Sequence, residues 1–185
     1  MIGKDRALDA YLVAAVRTGD RNAMAALVRH RGPRLLAHAA RLLGEREAAR
    51  DMVQEAWVEI IRGLGGLSGP EAFLPWALRI VSRRVAREIQ RRQRHRRIAE
   101  ELGSVPDEPI GDMAALAIDG AKVVAALKTL SNAQAATVAL FYLEELAISE
   151  VAEALDVPVG TVKTGLMHAR ARLRAHLEGD GNEQA

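Results

Sequence analysis

The stretch from Leu146 to Leu177 constrains this chain most. Ile148, Val151, Ala152 and Leu155 follow one another at helical spacing and share one face of a short helix. Asp156, Val157 and Pro158 then interrupt it, because the residue before a proline is pushed out of the helical region. Gly160-Thr161-Val162-Lys163 opens a second helix, with Val162, Leu166, Ala169, Leu173 and Leu177 on a single stripe at steps of 4, 3, 4 and 4. Its other faces carry Thr161, Lys163, Thr164, His168, Arg170, Arg172 and Arg174, and no acid falls between Gly160 and Leu177. Two short helices at a sharp turn, the second basic and opening on small residues, form a helix-turn-helix suited to the major groove of DNA.

The rest of the chain fits an all-α protein. No alternating strand pattern of any length occurs. Alanine, leucine, arginine and glutamate dominate a sequence of 185 residues that is 49% hydrophobic, enough for one domain or two small ones. Arginine supplies nearly all the positive charge, since the lysines are Lys4, Lys122, Lys128 and Lys163. Bidentate phosphate recognition would favour that choice, and so would GC-rich codon usage. No cysteine is present, which excludes disulfides, thiolate metal sites and cysteine nucleophiles. No apolar run is long enough to span a bilayer and no signal-peptide core follows Met1, so a cytoplasmic location is expected.

Helices are expected in order along the chain. Leu8, Tyr11, Leu12, Ala15 and Val16 form a stripe stopped by Gly19, and Asp20 is placed to cap the next helix, which carries Ala23, Leu27 and Val28 up to Gly32-Pro33. A third segment runs from Leu35 to Leu43 and ends at Gly44. The fourth has Ala49, Met52, Val53, Ala56, Trp57, Ile60 and Ile61 at helical spacing, and a glycine-rich loop leads to a long helix reaching about Leu102. The composition then shifts: residues 103–120 hold prolines, glycines and acids, the chemistry of a flexible acidic linker. Ser131 and Gln134 fit a capping box. The expected organisation is a helical domain over 1–102, the linker over 103–120, a helix-turn-helix domain over 121–178, and a disordered tail over 179–185.

Three surfaces could carry chemistry. Asp51, Glu55 and Glu59 recur every four residues and, with Gln54, make an acidic ridge that is either an ordinary solvated face or a dock for a basic partner. Arg83, Arg84, Arg87, Arg91, Arg92, Arg94, Arg96 and Arg97 crowd the end of the long helix, with Arg84, Arg87, Arg91 and Arg94 sharing a face. Like charges so spaced repel by a few tenths of a kcal/mol per pair, about 0.2–0.5, unless a polyanion neutralises them. Phe73 and Trp76 precede this run; they are core residues or, if exposed, platforms for an unpaired base. Catalytic patterns are missing: the histidines (His30, His38, His95, His168, His176) have no metal-binding spacing, and neither a phosphate-cradling glycine loop nor a nucleophile elbow occurs. No enzyme activity, cofactor or small-molecule substrate is expected.

Taken together, Asp51-Met52-Val53-Gln54-Glu55-Ala56-Trp57, Phe73-Leu74-Pro75-Trp76-Ala77 with the arginine-rich helix, Leu146-Ala147-Ile148-Ser149-Glu150-Val151-Ala152, and Gly160-Thr161-Val162-Lys163 with Ala169-Arg170-Ala171-Arg172-Leu173 resemble the extracytoplasmic-function sigma factors of bacterial RNA polymerase. The resemblance covers about Asp20 to Leu177. It implies that Asp51, Gln54, Glu55 and Glu59 dock on core RNA polymerase. It implies that Phe73, Trp76, Arg83, Arg84, Arg87 and Arg91 meet the minus-ten promoter element. Thr161, Lys163, Thr164, His168, Arg170 and Arg172 would meet the minus-thirty-five element, and an anti-sigma factor would be a further partner. Arg50, Arg83, Arg87, Ala147, Gly165 and His168 depart from the family pattern. Ala147 removes a capping serine, at about 1 kcal/mol, and Gly165 inside the recognition helix costs up to about 1 kcal/mol against alanine. Two other functions fit the same motifs: a sigma mimic that sequesters an anti-sigma factor, and a stand-alone helix-turn-helix repressor.

Overall fold

A computed structural model describes residues 2–102 and 118–180, with side chains over 5–102 and 123–175. Among the described residues eight α-helices follow in order: α1 (Ile2–Arg17), α2 (Arg21–Leu43), α3 (Arg46–Gly63), α4 (Phe73–Glu101), α5 (Ile118–Lys128), α6 (Asn132–Val138), α7 (Ile148–Leu155) and α8 (Val159–Asp180). No strand occurs among the described residues. Most of the expected linker and the end of the expected tail, 103–117 and 181–185, lie outside them.

Local chemistry sets most boundaries. Gly19 turns the chain at φ 94°, and the Asp20 carboxylate accepts from the backbone N–H of Asn22 and Ala23 at 2.8 and 3.2 Å, the expected cap of α2. Gly44 ends α2 at φ 73°, a left-handed conformation that a side chain would strain. At α6 the Ser131 hydroxyl accepts from Gln134 N–H and the Gln134 side chain accepts from Ser131 N–H, the reciprocal box read from the sequence.

Two expectations need correction. The break at Gly32-Pro33 does not occur: α2 continues through Pro33 as one helix. Leu27 and Arg31 before the proline and Leu35, His38 and Ala39 after it are all buried, and this packing outweighs the roughly 3 kcal/mol that an interior proline costs. The capping box at α7 is half kept rather than lost. Ala147 has no side-chain acceptor, but Glu150 Oε2 still accepts from Ala147 N–H at 2.8 Å.

The helices enclose one continuous apolar core that runs from Leu12 and Val13 through Phe73 and Leu78 to Val151, Val162 and Ala169. Within the first half, α2 packs on α1, α3 and α4. Asp9 is fully buried and receives Arg31 through two bonds of 2.7 Å each, tying α1 to α2. Arg17 donates to the carbonyls of Leu64 and Leu67, fixing the loop between α3 and α4. In the second half, α8 packs on α6 and α7. The halves also touch: α7 lies along α4, and α5 against α2.

Candidate nucleic-acid interface

Asp156, in the left-handed conformation at φ 57°, ends α7 and reverses the chain into α8. Val162, Leu166 and Ala169 are buried, so the opposite face of α8 is turned outward. Thr161, Lys163, Thr164, His168 and Arg172 are exposed there, and Met167 joins them. Arg170 is held differently. Its guanidinium lies 5.6 Å from the centre of the Tyr142 ring, and its Nε donates to the Tyr142 hydroxyl. It is therefore positioned at the edge of the face by Tyr142 rather than free to follow a phosphate. Gly165 meets no tight neighbour; a Cβ there would lie 3.8 Å from Thr137, an ordinary contact.

The arginines of α4 fall into two sets. Arg84 reaches back to α3, donating to Glu55 at 2.6 Å and Glu59 at 3.2 Å. Arg91 forms a two-bond pair with Glu88, and Arg92 bridges Glu88 and Glu45 at 2.8 Å each. The hydrogen bond from Arg91 is the main cause that lowers the Glu88 pKa to about 2, with Arg92 adding to it against the opposing effect of burial. Arg83, Arg87, Arg94 and Arg97 are exposed and make no ion pair with a described residue. With Gln90 they stand at 3- and 4-residue steps, one stripe along the helix. The shared face read from the sequence, Arg84-Arg87-Arg91-Arg94, is thus not the uncompensated one. Glu88 was visible as the single acid in the run; the reach of Arg84 to α3 had no local signal.

Phe73 also needs correction as a DNA contact. It is fully buried, stacked 6.4 Å from Trp57 and tilted against Trp76 at 6.2 Å. Trp76 is half-buried, and its ring fills the space beside Gly63, where an added Cβ would approach within 2.9 Å.

On α3, Asp51, Gln54 and Glu55 are exposed and Glu59 partly so. Val58 and Ile61, 47% and 54% exposed, lie on the same side and were not singled out from the sequence, because Ile61 reads there as part of the core stripe. The ridge is therefore an acidic rim with an apolar strip, the composition of a protein-binding surface. Among the described residues no cluster of histidine and acidic side chains could hold a metal ion, and no helix is long and apolar enough to cross a membrane.

An exposed basic face on α8, a basic stripe on α4 and an acidic ridge on α3 lie on one chain whose described elements are all helical, and comparison with known proteins identifies the family. The ECF sigma factor model matches residues 10–179, and the chain belongs to that family. Its members are transcription regulators and not enzymes. It is 32% identical over 178 residues to the ECF RNA polymerase sigma factor SigE of Mycolicibacterium smegmatis, covering 91% of this chain and 68% of that protein. It is 33% identical over 175 residues to SigM of Mycobacterium tuberculosis, covering 92% and 85%. Among solved structures, CnrH in complex with the cytosolic domain of CnrY matches with a TM-score of 0.70 at 26% identity, over 94% of this chain and 99% of that one.

Proposed function

We propose that this chain binds core RNA polymerase in the cytoplasm and directs it to promoters, with residues 1–102 docking and reading the minus-ten element and 121–178 reading the minus-thirty-five element. The observation that carries this reading is the separation of charge. An acidic ridge with an apolar strip on α3 and a basic outward face on α8 coexist in one chain, the first suited to a basic protein and the second to DNA. Asp51, Gln54, Glu55 and Glu59 engage the polymerase, with Val58 and Ile61 beside them. Arg83 and Arg87 follow promoter phosphates, and Arg94 and Arg97 extend that track. Arg84 and Arg91 are held by carboxylates in the free protein and contribute less. Trp76, and not Phe73, is the aromatic group placed to meet an unpaired base. On α8, Thr161, Lys163, Thr164, His168 and Arg172 approach base edges and phosphates, with Arg170 steered by Tyr142. The similarity to CnrH, solved with the cytosolic domain of CnrY, supports an anti-sigma factor as a further partner.

The test is run-off transcription of fragmented genomic DNA by core polymerase with and without the protein, followed by sequencing of the starts. New starts sharing two spaced elements are expected. No binding to core polymerase would overturn the reading. In the same assay Asp51→Arg is expected to abolish capture of core polymerase while the helical circular dichroism stays intact; unchanged capture would remove α3 from the interface.

A further inference from the structure

Tyr142 lies outside the two helices of the recognition motif, in the turn that precedes α7, yet it holds one of the arginines of α8. Residues Ala139–Leu143 form a π-helical turn, a rare conformation that recurs at functional sites. Glu145 follows at φ 54°, left-handed without being glycine. This backbone leaves Phe141 half-buried and turns Tyr142 out, 45% exposed. The two rings meet edge to face, with centroids 4.9 Å apart and planes at 88°, so a half-buried ring fixes an exposed one.

The hydroxyl is the part of Tyr142 that holds Arg170. Arg170 Nε donates to it, whereas the guanidinium carbon stands 5.6 Å from the ring centre, near the outer limit of a cation–π contact. Arg170 forms none of the ion pairs among the described residues. With Nε so used, Nη1 and Nη2 remain as two donors at the end of a planar fork. Both residues are exposed, and an exposed contact of this kind adds little to stability. What it does is order a long side chain before any partner arrives, which removes that cost from binding.

Lys163, Met167 and Arg170 follow at steps of 4 and 3, so Arg170 shares the face that Lys163 and Met167 present. A fixed position matters more for a base edge than for a phosphate. Phosphates line the whole duplex and a mobile arginine follows them, whereas a base offers its acceptors at one place only. The donors left on Arg170 match N7 and O6 of guanine, whose major-groove edge takes an arginine fork.

We propose that Tyr142 is a positioning residue that sets Arg170 to read a guanine in the minus-thirty-five element, so that part of the specificity is built outside the helix-turn-helix. This rests on the reading of α8 as the contact to that element.

The test uses core polymerase saturated with the full chain and the promoter fragments recovered by run-off sequencing, each base pair of the upstream element being replaced in turn. With the unaltered protein, loss of one G·C pair is expected to weaken binding about tenfold, and Arg170→Ala to remove that preference. Tyr142→Phe keeps the ring and its contact with Phe141 and deletes only the hydroxyl. It should reduce discrimination at that pair at least about threefold, with the other positions, the salt dependence and thermal unfolding unchanged. In the Arg170→Ala background it should have no further effect. Uniform weakening over all sequences with a shallower salt dependence would assign Arg170 to a phosphate and overturn the guanine contact. Full discrimination in Tyr142→Phe, with Arg170→Ala still weakening binding, would overturn positioning by Tyr142 and leave the proposed function intact. Absence of sequence selection by the unaltered protein would overturn the proposed function itself, and the positioning with it.

Discussion

Around Phe73 the first half of the molecule stacks large side chains, with Trp57 and Trp76 at 6.4 and 6.2 Å and Leu27, Leu35, Ile60 and Leu78 fully buried nearby. The second half buries no aromatic among its described residues: it closes around Leu127, Leu130, Leu140, Leu146, Val151, Val162 and Leu166, with Ala135, Ala139, Ala152, Ala154 and Ala169 between them. Without a buried aromatic, α5–α8 gain less from their own interior, and they also pack on the first half, α7 along α4 and α5 against α2. The contrast teaches that the half carrying α8 is expected to draw more of its stability from its neighbour.

Phe73→Ala should break the comparison most severely. Loss of a fully buried aromatic costs about 3–5 kcal/mol, and because the second half leans on the first, both should unfold in one transition when followed by denaturant titration. Leu140→Ala, at about 2–5 kcal/mol, should act unequally: amide exchange is expected to accelerate in α5–α8 while α1–α4 stay protected. Equal loss of protection in both halves would show that the dependence is mutual rather than one-sided.

Acid sharpens the same contrast. Burial drives the His38 pKa down to about 4, with Glu144 pulling it up and Arg41 and Arg34 adding to the fall. The unfolded chain therefore binds a proton that the folded one refuses. The stability is full above pH 6.5, declines as pH falls to about 4, and is flat below; the loss is at most about 3 kcal/mol. Glu88 acts lower: its carboxylate stabilises above pH 4.5, and that contribution fades as pH falls toward 2. His38→Asn should flatten the stability curve between pH 6.5 and 4 without altering the lower window. The smallest effect expected is a gain: Gly165→Ala should stabilise α8 by up to about 1 kcal/mol and raise the melting temperature, since Thr137 leaves room for the methyl group.

Features fixed by neighbours in the chain were legible from sequence. Asp20, Gly44 and the Ser131–Gln134 box act within a turn of where they stand, and the period of Val162, Leu166 and Ala169 alone orients α8. What was not legible depends on residues far apart. Pro33 reads as a break until the burial of Leu27 and Leu35 on either side is known. The reach of Arg84 to Glu55 spans 29 residues, and that of Arg34 to Glu144 spans 110. An arginine run shows how much charge a helix carries, but not which carboxylates elsewhere consume it. Phe73 sits about three turns before the basic stripe on the same helix, and only the position of Trp57 decides that it faces inward.

The tight fit of Trp76 beside Gly63 has a spectroscopic consequence. The two tryptophans of the chain, Trp57 and Trp76, both belong to the α3–α4 corner, one buried and one half-buried, and Phe73 lies between them. Tryptophan emission, excited where Tyr11 and Tyr142 do not absorb, therefore originates from that corner and is blind to α8. A base stacking on Trp76 would quench it, whereas a duplex seated on the recognition helix would leave the spectrum unchanged. The protein thus carries its own optical means of telling which of the two proposed DNA surfaces is occupied.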